Sequence, residues 1–230
     1  MKKAILIGVA VGVMIFGAIN AFAAPYINDK LVVVNQVYVV NPAMSAKMSR
    51  RAAQQVINRQ RAQDRIRVRL SKQVIVDDPF VEQRLDPANT TKRFYEEFQY
   101  YNNKLAKDGK GTVILVSAPA WELGNKLDAQ GWPSGGSPYL GGWAYTGSVL
   151  WGGYAYGTAI SVGYGGANKF HQSKLIMDHE LKHTYGANHD NSAPNVMHHD
   201  AQGELIKSGG RSLPTLSKAY QEIKAVLSKL

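Results

Sequence analysis

His179-Glu180-Leu181-Lys182-His183-Thr184-Tyr185-Gly186-Ala187-Asn188-His189 places three imidazoles, one carboxylate and one glycine at fixed offsets. On a helix, His179 and His183 stand at i and i+4, so both rings leave the same face. Two nitrogens on one face can each hold Zn²⁺ at about 2.0–2.1 Å. Glu180 is one step round the helix. It cannot share that coordination direction, but its carboxylate can reach a water on the metal. Gly186 can take the left-handed conformation that ends a helix. The chain then turns back, and His189 can supply a third nitrogen from a loop. Three protein ligands leave a fourth position for water, the catalytic rather than the structural arrangement. A bare H-E-x-x-H also arises by chance. The glycine and the third histidine are independent requirements, and both are met. The sequence therefore predicts His179, His183 and His189 as ligands of one catalytic Zn²⁺, with Glu180 as the catalytic group. Asp190 follows directly, and Met197 lies a few residues on, in Ala193-Pro194-Asn195-Val196-Met197.

Around this segment the chain alternates strand and helix. Leu31–Val40 reads as a strand of a covered sheet. Asn41-Pro42 resembles a helix start, with Asn41 as N-cap and Pro42 in the first position. Met44, Met48, Ala52 and Val56, with Ile57 beside them, predict its core stripe. Ile66, Val68 and Leu70 alternate with Arg67 and Arg69, as in a strand with one buried face. Strand, helix, strand suggests a parallel pair with a right-handed crossover. Thr90 or Thr91 is a candidate cap for a second helix bearing Phe94, Phe98, Tyr101 and Leu105, stopped by Gly109. Thr112–Val116 reads as a central buried strand, followed by a Gly- and Pro-rich loop over 132–142. Trp143–Tyr145 is expected to be an edge strand, with Thr158–Val162 another strand beside it. The aromatics of 142–166 suit the packing of a Gly-rich hairpin better than ligand stacking. The metal-binding helix is expected from Gln172 or Ser173 to Tyr185. Leu216, Tyr220, Ile223, Leu227 and Leu230 mark an amphipathic terminal helix over Pro214–Leu230.

Residues 1–23 have the form of a signal peptide. Lys2 and Lys3 precede an apolar run, and Ala21-Phe22-Ala23 is a small-x-small cleavage site. The run is short for a membrane anchor, so secretion, extracellular or periplasmic, is expected, with no stable membrane insertion after cleavage. Residues 24–230 then form one domain, too short for two of ordinary size. The 230-residue chain carries a formal charge of +10, or +8 without Lys2 and Lys3. Seven arginines and one acid, Asp64, lie between Arg50 and Arg69. They are split between a helix and a strand face with no interleaved aromatics, which fits a solvated surface and no nucleic-acid partner. There is no cysteine. No disulfide can form, and no thiolate can block a metal.

HELKHTYGANHD resembles the zinc signature of the metzincin peptidases, and the aspartate after the third histidine, Asp190, resembles the adamalysin or reprolysin group. The order of elements along the mature chain is similar to that group as well. This resemblance implies an α/β (α+β) fold: a twisted five-stranded mixed sheet with one antiparallel edge strand, a zinc-binding helix beneath it, and a small C-terminal subdomain carrying His189, Met197 and the terminal helix. It implies protein or peptide substrates bound extended along the edge near Trp143–Tyr145, as in strand addition, to a monomeric enzyme. Met197 would form an apolar floor under the ligands. Three departures stand out. The vertebrate members have disulfides, Lys182 replaces a commonly uncharged residue, and only Ala24–Lys30 separate the cleavage site from the first strand, so no prodomain is expected. His199 occupies the offset at which astacin and serralysin relatives carry a metal-approaching tyrosine. It is either a fifth ligand or oxyanion donor, or a loop histidine. The sequence leaves calcium open.

The function so implied is a secreted zinc endopeptidase, in which a metal-activated water attacks the peptide bond and Glu180 serves as general base. A zinc-dependent hydrolase of cell-wall peptides shares the chemistry. A non-catalytic, zinc-stabilised surface-binding protein would have no use for Glu180.

Overall fold

The computed structural model describes residues 24–39, 45–76, 111–116, 144, 146–151, 158–159 and 169–230. Strand β1, Val32–Val39, is rich in β-branched residues, which fit a pleated surface packed on both sides. Val32, Val34, Gln36 and Tyr38 on one face, and Asn35 and Val37 on the other, are all buried. β2, Val68–Val76, pairs with β1 in parallel, Val32 opposite Val68 and Val37 opposite Val74. β3, Gly111–Val116, lies on the other side of β1, also parallel. β4, Thr158–Ala159, pairs in parallel with β3. The order among the described residues is β2-β1-β3-β4, so β1 and β3 are the central strands. The predicted antiparallel fifth strand at Trp143–Tyr145 lies outside the described residues, except for Ala144. So do the second helix over 90–105 and the loop over 132–142.

Helix α1, Ala46–Ala62, joins β1 to β2. Its N-cap is Ser45, whose hydroxyl accepts the Met48 N–H at 3.3 Å. This corrects the Asn41-Pro42 start: serine at 45 satisfies a first-turn donor three residues later in the chain. The buried face is also rotated from the predicted one. Ser49, Ala52, Ala53, Val56, Ile57 and Gln60 are buried, while Met48 is 42% exposed. Alanines at 52 and 53 permit a close approach of α1 to its neighbours. Gln36 explains why Ser49 belongs to this face. Its Nε2 donates to the Ser49 hydroxyl and carbonyl, and its Oε1 accepts from Gln73 Nε2 at 3.0 Å. A polar ladder thus joins β1, β2 and the start of α1. Ile66 and Val68 are buried and Arg67 and Arg69 exposed, as the alternation predicts; β2 then continues six residues past Leu70.

Helix α2, Lys169–Thr184, starts before the predicted Gln172 and packs on α1. After it the chain forms a loop, a short helix α3 over Ala201–Lys207, and the terminal helix α4 over Ser217–Leu227. α3 is absent from the sequence reading: seven residues interrupted by Gly203 give almost no periodic signal. α4 buries Ala219, Ile223 and Leu227. These join Met177, Leu181, Tyr185, Val196 and Met197 in the same core that holds Ile57, Ile66 and Val68. Among the described residues no helix is long and apolar enough to cross a membrane.

Candidate metal centre

α2 ends in a turn that aims the third histidine. The Gly186 N–H donates to the His183 carbonyl (2.8 Å) and the Ala187 N–H to the Lys182 carbonyl (3.0 Å). This paired closure is a Schellman motif, and it needs a left-handed residue at its first position. Gly186 supplies it with φ +105°. A side chain here would also meet Val226 of α4, so the turn and the terminal helix are in contact.

The result is a converging set of nitrogens. The Nε2 atoms of His179 and His183 stand 3.0 Å apart, those of His179 and His189 3.2 Å, and those of His183 and His189 3.1 Å. His179 Nδ1–H donates to the Val196 carbonyl and His183 Nδ1–H to the Ala187 carbonyl, both at 2.7 Å. Those bonds place the proton on Nδ1 and leave the Nε2 lone pair free. Unprotonated nitrogens at about 3 Å repel one another unless something positive sits between them. Three nitrogens at about 2.0–2.1 Å from one tetrahedral ion stand about 3.4 Å apart, close to the spacing found. The donor set therefore fits a zinc ion, and among the described residues it is the one such cluster of potential ligands. Burial holds His179 well below its ordinary pKa, with the neighbouring His183 adding to the effect. Burial and His189 lower His183 to about 4, and burial lowers His189. All three are thus neutral at pH 7, as metal ligation requires.

Glu180 is buried beside the ligands, and its Oε2 has no hydrogen-bond partner among the described residues. Burial raises its carboxyl to about 8. A buried carboxyl oxygen without a partner among the described residues is costly in this position.

The loop after α2 is built around Asn195. Its Nδ2 donates to the Asp190 and Ala193 carbonyls (2.7 and 2.6 Å), and its Oδ1 accepts the Met197 N–H (2.7 Å). Met197 is fully buried, and its carbonyl accepts the Asp190 N–H at 3.0 Å. The Asp190 carboxylate is turned to Ser192, accepting its N–H and hydroxyl. His199 is not drawn into the cluster of three: its ring stacks on His198 at 4.8 Å between centroids, and its N–H is held by Asn191 Oδ1. Its Nδ1 is buried without a hydrogen-bond partner among the described residues.

Three supports were missed in the sequence. Glu222 of α4 accepts the Asn188 N–H at 2.8 Å and its side-chain amide at 3.3 Å, next to His189. The backbone carbonyls of Val196 and Ala187 have no sequence signal at all. Lys182, the residue that departs from the usual pattern, is fully buried between Asp178 and Asp64. Asp178 also pairs with Arg59 Nη1 (3.2 Å) and accepts from Gln60 Nε2 (2.9 Å). The lone acid amid seven arginines was the available signal for this network.

No family model matches the chain, and no curated protein matches it in sequence. Its fold does match solved structures. An archaemetzincin from Methanopyrus kandleri is 12% identical with a TM-score of 0.54, over 85% of this chain and 95% of that one. Metalloproteinase-II from Bacteroides fragilis is 11% identical with a TM-score of 0.50, over 89% of this chain and 55% of that one. The chain thus spans about half the length of the second neighbour. At such identities the likeness concerns the fold alone: this chain shares its fold with that archaemetzincin and that metalloproteinase.

Proposed function

We propose that this chain is a secreted zinc-dependent endopeptidase, with residues 1–23 as its signal peptide and 24–230 as its catalytic domain. The observation that carries the reading is the convergence of three Nε2 atoms within 3.2 Å of one another, with Glu180 buried beside them and its Oε2 without a partner among the described residues. His179, His183 and His189 would hold one Zn²⁺. When bound, that ion supplies a Lewis acid for the scissile carbonyl and lowers the pKa of water from 15.7 towards about 7. The Val196 and Ala187 carbonyls orient two of the three imidazoles, and Glu222 fixes the turn that carries the third. Glu180 takes the proton from the attacking water and passes it to the leaving amine nitrogen. The metalloproteinase fold supports the reaction class. Asp190, directly after His189, supports placement in an adamalysin-like group. Extended binding of protein substrates along Trp143–Tyr145 and a monomeric state belong to the same proposal.

The test is a chelator-controlled assay of the purified mature chain on casein and on isolated cell wall. Chelator-sensitive casein cleavage that is abolished in Glu180→Gln, with zinc retained, is the expected result. Cleavage confined to cell wall would move the substrate class. Undiminished cleavage in Glu180→Gln would remove the general base, and no hydrolysis of either substrate would leave a zinc-stabilised binding protein.

A further inference from the structure

A cavity of about 220 Å³ lies between α1, α2 and the segment that follows α3. His171, Lys174, Leu175 and Asp178 of α2 line it at helical spacing. The metal-binding imidazoles leave the helix roughly a third of a turn further round, so this is a separate site. Val56, Leu175, Leu205 and Leu213 give it an apolar floor, and all four are buried.

Its rim is cationic. Arg59 is held rigidly: Nε donates to Gln63 Oε1 at 3.0 Å, Nη2 to the Leu213 carbonyl, and Nη1 pairs with Asp178 at 3.2 Å. Lys174 has no acidic partner among the described residues. Its ammonium rests 5.3 Å from the centroid of the Phe170 ring, and the Arg51 guanidinium lies 5.6 Å from the same centroid. Asp178 and Asp64 are already balanced by Arg59 and Lys182. Among the described residues, Lys174 in the lining and Arg51 beside it, outside the lining, are therefore in excess. Burial, then Arg59, then Arg51 push the Lys174 ammonium below its ordinary pKa, because desolvation and neighbouring like charges both disfavour its charged form.

We propose that this cavity binds a small organic anion, its carboxylate or phosphate seated on Lys174 and a short apolar body laid over Val56, Leu175, Leu205 and Leu213. A volume below the ~300–1,000 Å³ of drug-sized pockets suits a metabolite-sized acid, not a peptide segment. The site does not depend on the peptidase reading.

Calorimetric titration of the zinc-loaded mature protein at constant ionic strength tests it. Hexanoate and butyl phosphate are the probes, which separates carboxylate from phosphate as the head group. At least one should bind saturably, with one equivalent per chain. Acetate or inorganic phosphate, lacking the apolar body, should bind about tenfold more weakly. Lys174→Glu should weaken binding at least tenfold, since a charge-assisted contact becomes a repulsion, and Lys174→Arg should keep it within about threefold. Lys174 is only partly buried, so both variants should fold. Carboxylates also bind zinc, so the titration is repeated on His189→Ala. Binding retained there and lost in Lys174→Glu supports the cavity. Binding lost there and retained in Lys174→Glu assigns the anion to the metal centre and overturns the proposal. Absence of saturable binding by either probe to the wild-type protein overturns it too.

Discussion

The ammonium of Lys182 lies 2.9 Å from Asp64 Oδ2, a buried ion pair between α2 and the turn after α1. Asp178, one turn earlier on α2, is its second partner, and Arg59 and Gln60 close the network from α1. Tyr185 completes it, its hydroxyl donating to Gln60 Oε1 at 3.3 Å. Two acids and two cations balance, so the charge is contained. The network fixes α2 against α1 at the level of the ligands.

Lys182→Met should leave two buried carboxylates competing for Arg59. Breaking one side of such a pair costs about 3–5 kcal/mol. Urea unfolding is the measurement. Adding Asp64→Asn to Lys182→Met should recover part of the loss, because the stranded charge is removed. A midpoint unchanged by Lys182→Met would mean that the network does not hold the helix.

Gly186→Ala tests the turn. The residue sits at φ +105°, where an L side chain costs about 1–3 kcal/mol, and its Cβ would stand 3.0 Å from Val226 Cβ. Loss of stability and of zinc affinity together is expected. Val226→Ala should relieve the steric part and leave the backbone part. Full recovery in the double variant would show that the left-handed turn itself is unimportant.

Glu222→Ala should loosen the His189 turn without unfolding the protein, since Glu222 lies at the surface end of the Asn188 contact. Zinc affinity, read by competition with a chelator, should fall by about tenfold to a hundredfold, the range for losing an outer-shell support of a ligand. Unaltered affinity would confine Glu222 to packing.

The groups of the site give the metal-free protein a pH optimum. The three imidazoles are held below 6.5, with His183 at about 4, so below 6.5 the unfolded chain binds more protons. Stability then falls as pH drops from 6.5 towards 4. Glu180 acts the other way. Its carboxyl is raised from 4.5 to about 8, so the folded chain keeps a proton that the unfolded chain has lost, and stability falls as pH rises through that window. Three imidazoles outweigh one carboxyl between the two limits, and above 6.5 Glu180 acts alone. Chelator-treated protein should therefore be most stable near pH 6.5, and Glu180→Gln should lose the decline towards pH 8. Urea midpoints that rise from pH 6.5 to 8 in the wild type would contradict this.

What was legible in the sequence follows from how local each signal is. His179, His183, Gly186 and His189 sit within one helix end and one turn, where spacing dictates geometry, and the structure brings the three imidazoles together. β1, β3 and α4 declare themselves by β-branched runs or by helical periodicity. Asn41-Pro42 and Ser45 are both good local starts; the structure caps α1 at Ser45, and Asn41-Pro42 lies outside the described residues. Met48 matches the core stripe by spacing alone. The true face is shifted by one residue to admit Ser49 and the two alanines. Lys182 stands out in the sequence as a departure, but it meets Asp64 only through the packing of α1 on α2. Glu222 holds Asn188 from 34 residues away, a distance over which no pattern in a single sequence speaks.

Metal analysis of the purified mature protein, expressed with zinc present, decides whether the three imidazoles do what their convergence implies. One zinc per chain in the wild type, and its loss in His183→Ala, is the expected result. A folded wild-type protein that holds no zinc, or a His183→Ala variant that holds as much as the wild type, would contradict the assignment of His179, His183 and His189 as the metal centre.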